Sequence, residues 1–145
     1  MIITELHSPS ASQVEDILDL MRELNPDLTV TPEMIAGAAV SSYTHLFALM
    51  DGERVIGTAS LCVYFSPTGQ KAGVEDVVVS SSYRGQGLGR LLLEHVIDFA
   101  RQELGNVDLH LTSRPERVAA NELYRSLGFE KRETNAYVLR IREGE

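Results

Sequence analysis

The sequence predicts an α+β fold, a mixed and mostly antiparallel sheet of about seven strands sandwiched with about four helices. Three observations predict it. Apolar residues repeat every second position from Thr44 to Val79. Stripes of 3.6-residue period flank that stretch on both sides. No linker rich in Pro, Gly or Ser interrupts the 145 residues, so the reading is one domain spanning 1–145.

The elements follow in order. Ile2 to Leu6 reads as a short strand. Ser10 or Ser12 can cap a helix to about Leu24, with Val14, Ile17, Leu18, Met21 and Leu24 on its apolar stripe. Asn25-Pro26-Asp27 ends it, and Thr31-Pro32-Glu33 starts a second helix to about Ser41. Thr44–Met50 and Arg54–Phe65 are strands joined by Asp51-Gly52, a hairpin signal. After the turn at 66–69, Lys71 to Val79 is a third strand of the meander. A glycine-rich loop then opens a strong helix to about Leu104, whose stripe includes Leu88, Leu92, Val96 and Phe99. Val107 to Thr112 is a strand. Ser113-Arg114-Pro115-Glu116 fits a capping box for a helix to Leu127, ended by Gly128. The last two strands are expected over Glu130–Thr134 and Tyr137–Ile141, turning at Asn135.

Thirteen basic against 21 acidic residues leave a net charge of −8. That argues against broad binding to nucleic acid or to an anionic membrane, which needs a basic surface. The imbalance lies early: residues 1–83 hold 3 basic and 11 acidic residues, and the rest holds 10 of each. A single cysteine, Cys62, cannot close an intramolecular disulfide. The first residues lack the basic start and apolar run of a signal peptide, and no apolar run approaches the roughly 20 residues of a membrane span. A cytoplasmic protein is the expectation. The four histidines show no metal-ligand spacing, so no metal is expected.

Arg84-Gly85-Gln86-Gly87-Leu88-Gly89 carries the chemistry. Glycine tolerates φ > 0 and lets a ligand approach the backbone. A helix N-terminus offers free N–H groups and a partial positive charge, which together suit phosphate. Arg84 and Arg90 bracket the loop. A P-loop would need Gly-Lys where Arg90 stands and is rejected. A dinucleotide fingerprint needs a third glycine at that same position. A turn that merely starts a helix remains the plain alternative.

The loop matches the [Q/R]-x-x-G-x-[G/A] pattern of the GNAT superfamily of acetyl-CoA-dependent N-acyltransferases. The resemblance extends through Glu75-Asp76-Val77-Val78-Val79, Tyr83, Ala120-Asn121-Glu122-Leu123-Tyr124 and Leu127-Gly128-Phe129. Element order matches that fold across nearly the whole chain.

The resemblance implies that the backbone amides of Arg84, Gly85, Gln86, Gly87, Leu88, Gly89 and Arg90 cradle the pyrophosphate of acetyl-CoA, the co-substrate. It implies that the main chain of Val77 and Val79 pairs with the pantetheine arm, where an amide can polarise the thioester carbonyl. Tyr124 corresponds to the tyrosine that protonates the departing thiolate, and an ordinary phenol, with a pKa near 10, holds that proton at neutral pH. Asn121, three residues earlier on the same helical face, hydrogen-bonds the coenzyme or orients the site. Glu75 occupies a strand position where family members carry a base. The period of two places it on one face with Val77 and Val79, and Asp76 on the other. Packing and surface ion pairs are the plain alternatives for Tyr124 and Glu75.

Cys62 reads as a buried thiol and His95 as a satisfied side chain on an apolar stripe. His110 shares a strand face with Asp108 and Thr112 and stays outside the assigned site. The implied function is direct transfer of acetyl from acetyl-CoA to a primary amine in a ternary complex. The amine is a small cation or a protein amine, met around Leu24–Thr31 and Thr134–Tyr137. The alternatives are a non-catalytic acyl-CoA-binding module and a glucosamine-phosphate N-acetyltransferase. GNAT proteins often form homodimers, and nothing in the sequence marks an interface.

Overall fold

Ser10 starts the first helix as a capping box, though not with the glutamate of the usual pattern. Its hydroxyl accepts from the Gln13 amide at 3.2 Å, and its own amide donates to the Gln13 side chain at 2.9 Å. The computed structural model describes residues 1–144. The chain divides into two compact units, Met1–Thr112 and a second beginning at Ser113.

In the first unit the order is β1 (Ile2–Glu5), α1 (Ala11–Leu24), α2 (Pro32–Val40), β2 (Thr44–Asp51), β3 (Arg54–Ser66), β4 (Gly69–Val79), a 3-10 turn at Ser81–Tyr83, α3 (Leu88–Glu103) and β5 (Leu109–His110). Thr31 caps α2 with its hydroxyl on the Met34 amide, and Pro32 occupies the first turn. The five strands form one sheet in chain order. β1 to β4 are antiparallel, and β5 joins β4 in parallel through only two pairs, Ala72 with Leu109 and Gly73 with His110.

Each face of the sheet has its own core. Leu46, Ala48, Met50, Val55 and Val78 pack with Ile17, Leu20 and Met21 of α1 and with Ile35 and Ala39 of α2. On the other face Phe47 meets His95 and Phe99 of α3 edge to face, each with centroids 5.1 Å apart. His95 is thus a ring in an aromatic cluster, as its place on the α3 stripe suggests. Thr58, 1% exposed, is buried with a hydroxyl that has no protein partner among the described residues.

The β3–β4 ladder carries the feature that matters most for the site. Thr58 pairs with Val78, but Ser60 pairs with Glu75. One residue of β3, Ala59, therefore lies opposite two of β4, Asp76 and Val77, which is a β-bulge. Asp76 takes the strain, with φ +53°.

In the second unit α4 spans Val118–Ser126. Arg117 stands at its N-cap with no side-chain cap bond, so the expected box from Ser113 to Glu116 does not form. Phe129 returns its amide to the Tyr124 carbonyl at 3.0 Å and closes the helix around Gly128, whose φ is +99°. The two strands expected over 130–134 and 137–141 are absent among the described residues, where the backbone is irregular. Tyr137, Leu139 and Ile141 alternate as a strand would, yet they are 82–90% exposed.

Candidate active site

The glycine-rich loop is built from its own backbone angles. The Ser80 amide donates to the Ile56 carbonyl at 2.8 Å, anchoring the end of β4. The Tyr83 amide closes the 3-10 turn onto Ser80, and the Tyr83 hydroxyl donates to Asp51 at 2.6 Å. Gly85 and Gly87 then adopt φ of +78° and +72°. Gly87 is the left-handed N-cap of α3, and its carbonyl accepts from Leu91 at 3.1 Å. The amides of Leu88 and Gly89 fall in the first turn of α3, where helix geometry provides no carbonyl partner. A Cβ built on Gly85 or Gly87 meets nothing within 4 Å, so open space lies over the loop. Free amides, the positive end of α3 and that open space fit a pyrophosphate. Arg90 pairs with Glu94 at 3.6 Å along the helix.

Glu23, at the end of α1, accepts from the Ser81 amide at 3.0 Å. Bonds from Ser81 hold its carboxyl below the usual range, with Arg84 adding to the effect. Asp16 accepts from the Val55 amide at 3.0 Å and faces Arg54 at 3.7 Å. Between α1 and the 80–83 turn lies a cavity of about 220 Å³, lined by Asp16, Asp19, Glu23, Arg54, Ser80 and Tyr83 among others.

Glu75 requires a correction. It pairs with Ser60, which pairs with Leu46 of the α1/α2 core, so Glu75 faces the α1/α2 side. Val79 packs near Leu49 across Gly57, and Leu49 lies two residues from Phe47 on the α3 side. Glu75 and Val79 therefore occupy opposite faces, because the bulge at Asp76–Val77 resets the alternation. The shared face expected for Glu75, Val77 and Val79 does not hold. Desolvation, with the neighbouring Asp76, raises the Glu75 carboxyl, and desolvation raises Asp76 too. Cys62 also departs from expectation. It is only half-buried, with its thiol pushed up by desolvation.

In the second unit Asn121 and Tyr124 stand one turn apart on α4. The Asn121 side chain donates to the Arg114 carbonyl at 3.0 Å, bracing the turn before the helix. Tyr124 is 8% exposed and lies edge-on to Phe129, centroids 6.1 Å apart. His110 pairs with Gly73, two residues from Glu75, a placement visible only through the β4–β5 register. Among the described residues no group of three or more His, Cys, Asp or Glu is placed to hold a metal, and no helix is long and apolar enough to cross a membrane.

Residues 13–129 match the Acetyltransferase (GNAT) family. The N-alpha-acetyltransferase RimI of Mycobacterium tuberculosis is 33% identical over 91 residues, 63% of this chain and 55% of that protein. The glucosamine 6-phosphate N-acetyltransferase of Trypanosoma brucei brucei is 34% identical over 93 residues, 62% of this chain and 60% of that protein. The chain thus spans little more than half the length of these curated relatives. A solved structure from Agrobacterium tumefaciens superposes with a TM-score of 0.81 at 22% identity, covering 97% of this chain and all of that one, and shows the same fold. With most of its length matched, the chain belongs to the acetyltransferase (GNAT) family.

Proposed function

We propose that the chain is a single catalytic domain that transfers the acetyl group of acetyl-CoA to a primary amine. The observation that carries the reading is the loop at the N-terminus of α3, where left-handed Gly85 and Gly87 lie under open space. That arrangement suits a coenzyme pyrophosphate. Among the described residues β4 has no β5 partner beyond Gly73, so its edge toward Val77 and Val79 can pair with a pantetheine arm. Glu75 is the base, and a carboxyl raised by desolvation is a stronger base than an ordinary one. Tyr124 is the acid that protonates the leaving thiolate. Attack is direct, with both substrates bound.

The acceptor is a cationic amine, small or on a protein. The RimI relative favours a protein amine. The Trypanosoma relative favours a phosphosugar amine as a second reading. That acceptor would need free cations, whereas Arg22 pairs with Asp19 and Arg54 with Asp16. Thiol release from acetyl-CoA, measured over a panel of alkylamines, peptides with free N-termini and glucosamine 6-phosphate, tests both. Turnover of alkylamines or peptides is expected. Coenzyme binding without thiol release on any amine would leave a binding module instead.

A further inference from the structure

We propose that Glu23 and Asp51 are positioning residues for the coenzyme loop. Their carboxylates tie the 80–83 turn to α1 and to the β2–β3 hairpin, and so hold the loop amides in the arrangement that receives a pyrophosphate. The proposal rests on the coenzyme-loop reading above and adds two residues that lie outside the loop itself.

The loop needs anchors from outside. Glycine gives up more conformational freedom on ordering than any other residue, and three glycines stand at alternate positions from Gly85 to Gly89. A loop left mobile would bind the coenzyme only in the fraction of molecules where it is already formed. At its far end α3 supplies the hold, with the Gly87 carbonyl accepting from the Leu91 amide at 3.1 Å. At its near end packing supplies little. No residue of the Ser81–Tyr83 turn is buried, and a cavity of about 220 Å³ separates the turn from α1.

Hydrogen bonds take the place of packing there. The Ser80 amide donates to the Ile56 carbonyl at 2.8 Å, and the Tyr83 amide returns to Ser80 at 2.9 Å. These bonds shape the turn but leave it free to swing about the end of β4. Two further bonds reach outside it. The Ser81 amide donates to Glu23 Oε1 at 3.0 Å, and the Tyr83 hydroxyl donates to Asp51 Oδ2 at 2.6 Å. The two acceptors come from different elements, so together they remove that swing. Glu23 sits in the last turn of α1, whose Ile17, Leu20 and Met21 are fixed in the core. Asp51 ends β2 and pairs with Arg54 across a two-residue turn. Both anchors therefore stand on held elements. Hydrogen bonds to ionised acceptors are the stronger kind. Bonds from Ser81 lower the Glu23 carboxyl and the bond to Asp51 raises the Tyr83 phenol, so at neutral pH one stays an acceptor and the other a donor.

Charge gives the proposal a sign that can be read. Two carboxylates near the loop repel a pyrophosphate. On electrostatics alone, removing either should tighten coenzyme binding. If the carboxylates position the loop, removing either should weaken it. Glutamine at 23 separates the two effects, because it keeps an oxygen for the Ser81 amide and loses the charge.

Calorimetric titration of the whole protein with coenzyme A tests this and needs no knowledge of the amine. Glu23→Ala and Asp51→Ala should each raise the Kd about five-fold or more, and Glu23→Gln should stay within about two-fold of wild type. Tyr83→Phe should match Asp51→Ala, and the double variant should bind no more weakly than either single one. A Kd that is unchanged or lowered in the alanine variants overturns the proposal. So does a loss in Glu23→Gln equal to that in Glu23→Ala, or losses in Tyr83→Phe and Asp51→Ala that simply add. Should an alanine variant melt well below wild type, Tyr83→Phe decides for Asp51 and Glu23→Asp for Glu23. Each should raise the Kd in a protein of wild-type melting temperature, because the first removes the donor and the second draws the acceptor back by one methylene; an unchanged Kd in either overturns the corresponding anchor. Wild-type protein that does not bind coenzyme A overturns the coenzyme-loop reading itself, whereas wild type and variants that bind it equally overturn only the positioning roles.

Discussion

Tyr124 is proposed to give its hydroxyl proton to the departing thiolate. The side chain is 8% exposed with its ring edge-on to Phe129, so phenylalanine keeps the packing and loses only the hydroxyl. We expect Tyr124→Phe to lower turnover by about ten-fold or more with little change in coenzyme affinity. Turnover equal to wild type would reduce the ring to packing. Glu75 makes a pH argument. A base works only when deprotonated, and desolvation raises this carboxyl above its ordinary value. The acidic limb of kcat/KM should therefore lie above that of an ordinary glutamate, with activity lost as pH falls through it. Glu75→Gln should erase that limb and slow the reaction; a variant with the same limb would show that another group titrates. Sequence motifs nominate both residues for these proposed roles, Glu75 before the valine run and Tyr124 three residues after Asn121. The face of Glu75 was not legible, because the bulge at Asp76–Val77 resets the alternation between it and Val79.

The α3 loop and the β4 bulge show what element-level patterning does and does not reveal. Alternate glycines after a strand of valines already imply a loop with φ > 0, and Gly85 and Gly87 have it. Gly87→Ala separates backbone strain from ligand contact. The left-handed φ costs an alanine about 1 kcal/mol, and no protein atom within 4 Å adds a clash. If the loop holds a pyrophosphate, the KM for acetyl-CoA should rise by well over the five-fold that 1 kcal/mol corresponds to, because the methyl enters the ligand's space. Stability in urea should fall by only about 1 kcal/mol. A stability loss with unchanged coenzyme KM would place the phosphate elsewhere. The bulge escaped the sequence because a strict period of two has no slot for an extra residue. Aspartate at 76 is one of the few non-glycine residues that tolerate φ +53°, which is the trace it leaves. Tyr137, Leu139 and Ile141 mark the opposite limit. Their alternation describes a face, but a strand also needs a neighbour to hydrogen-bond, and alternation does not supply one.

Over the whole molecule the net charge of −8 is not spread evenly, and the two units sharpen that division. Residues 1–112 hold 6 basic and 15 acidic residues, a net −9, while residues from 113 on hold 7 and 6. Within the first unit Glu23 and Arg54 line the cavity beside the 80–83 turn with Asp16 and Asp19, which pair with Arg54 and Arg22, so the excess negative charge lies in the unit as a whole rather than in that cavity. A polyanionic coenzyme approaching a unit of net −9 is repelled except at the amides of the loop, whereas a cationic acceptor is drawn toward it. Salt acts on these two effects with opposite sign. The Debye length shrinks from about 30 Å at 0.01 M to about 10 Å at 0.1 M, which screens the distant carboxylates while leaving direct contacts intact. Raising salt over that range should therefore lower kcat/KM for an alkyldiamine several-fold, and for a monoamine of equal length by less, with acetyl-CoA saturating in both series. The difference between the two amines is the decisive quantity, since any general effect of salt on the protein cancels in their ratio. A ratio that stays constant across the salt series would mean that the excess of carboxylates serves solubility alone and plays no part in choosing the acceptor.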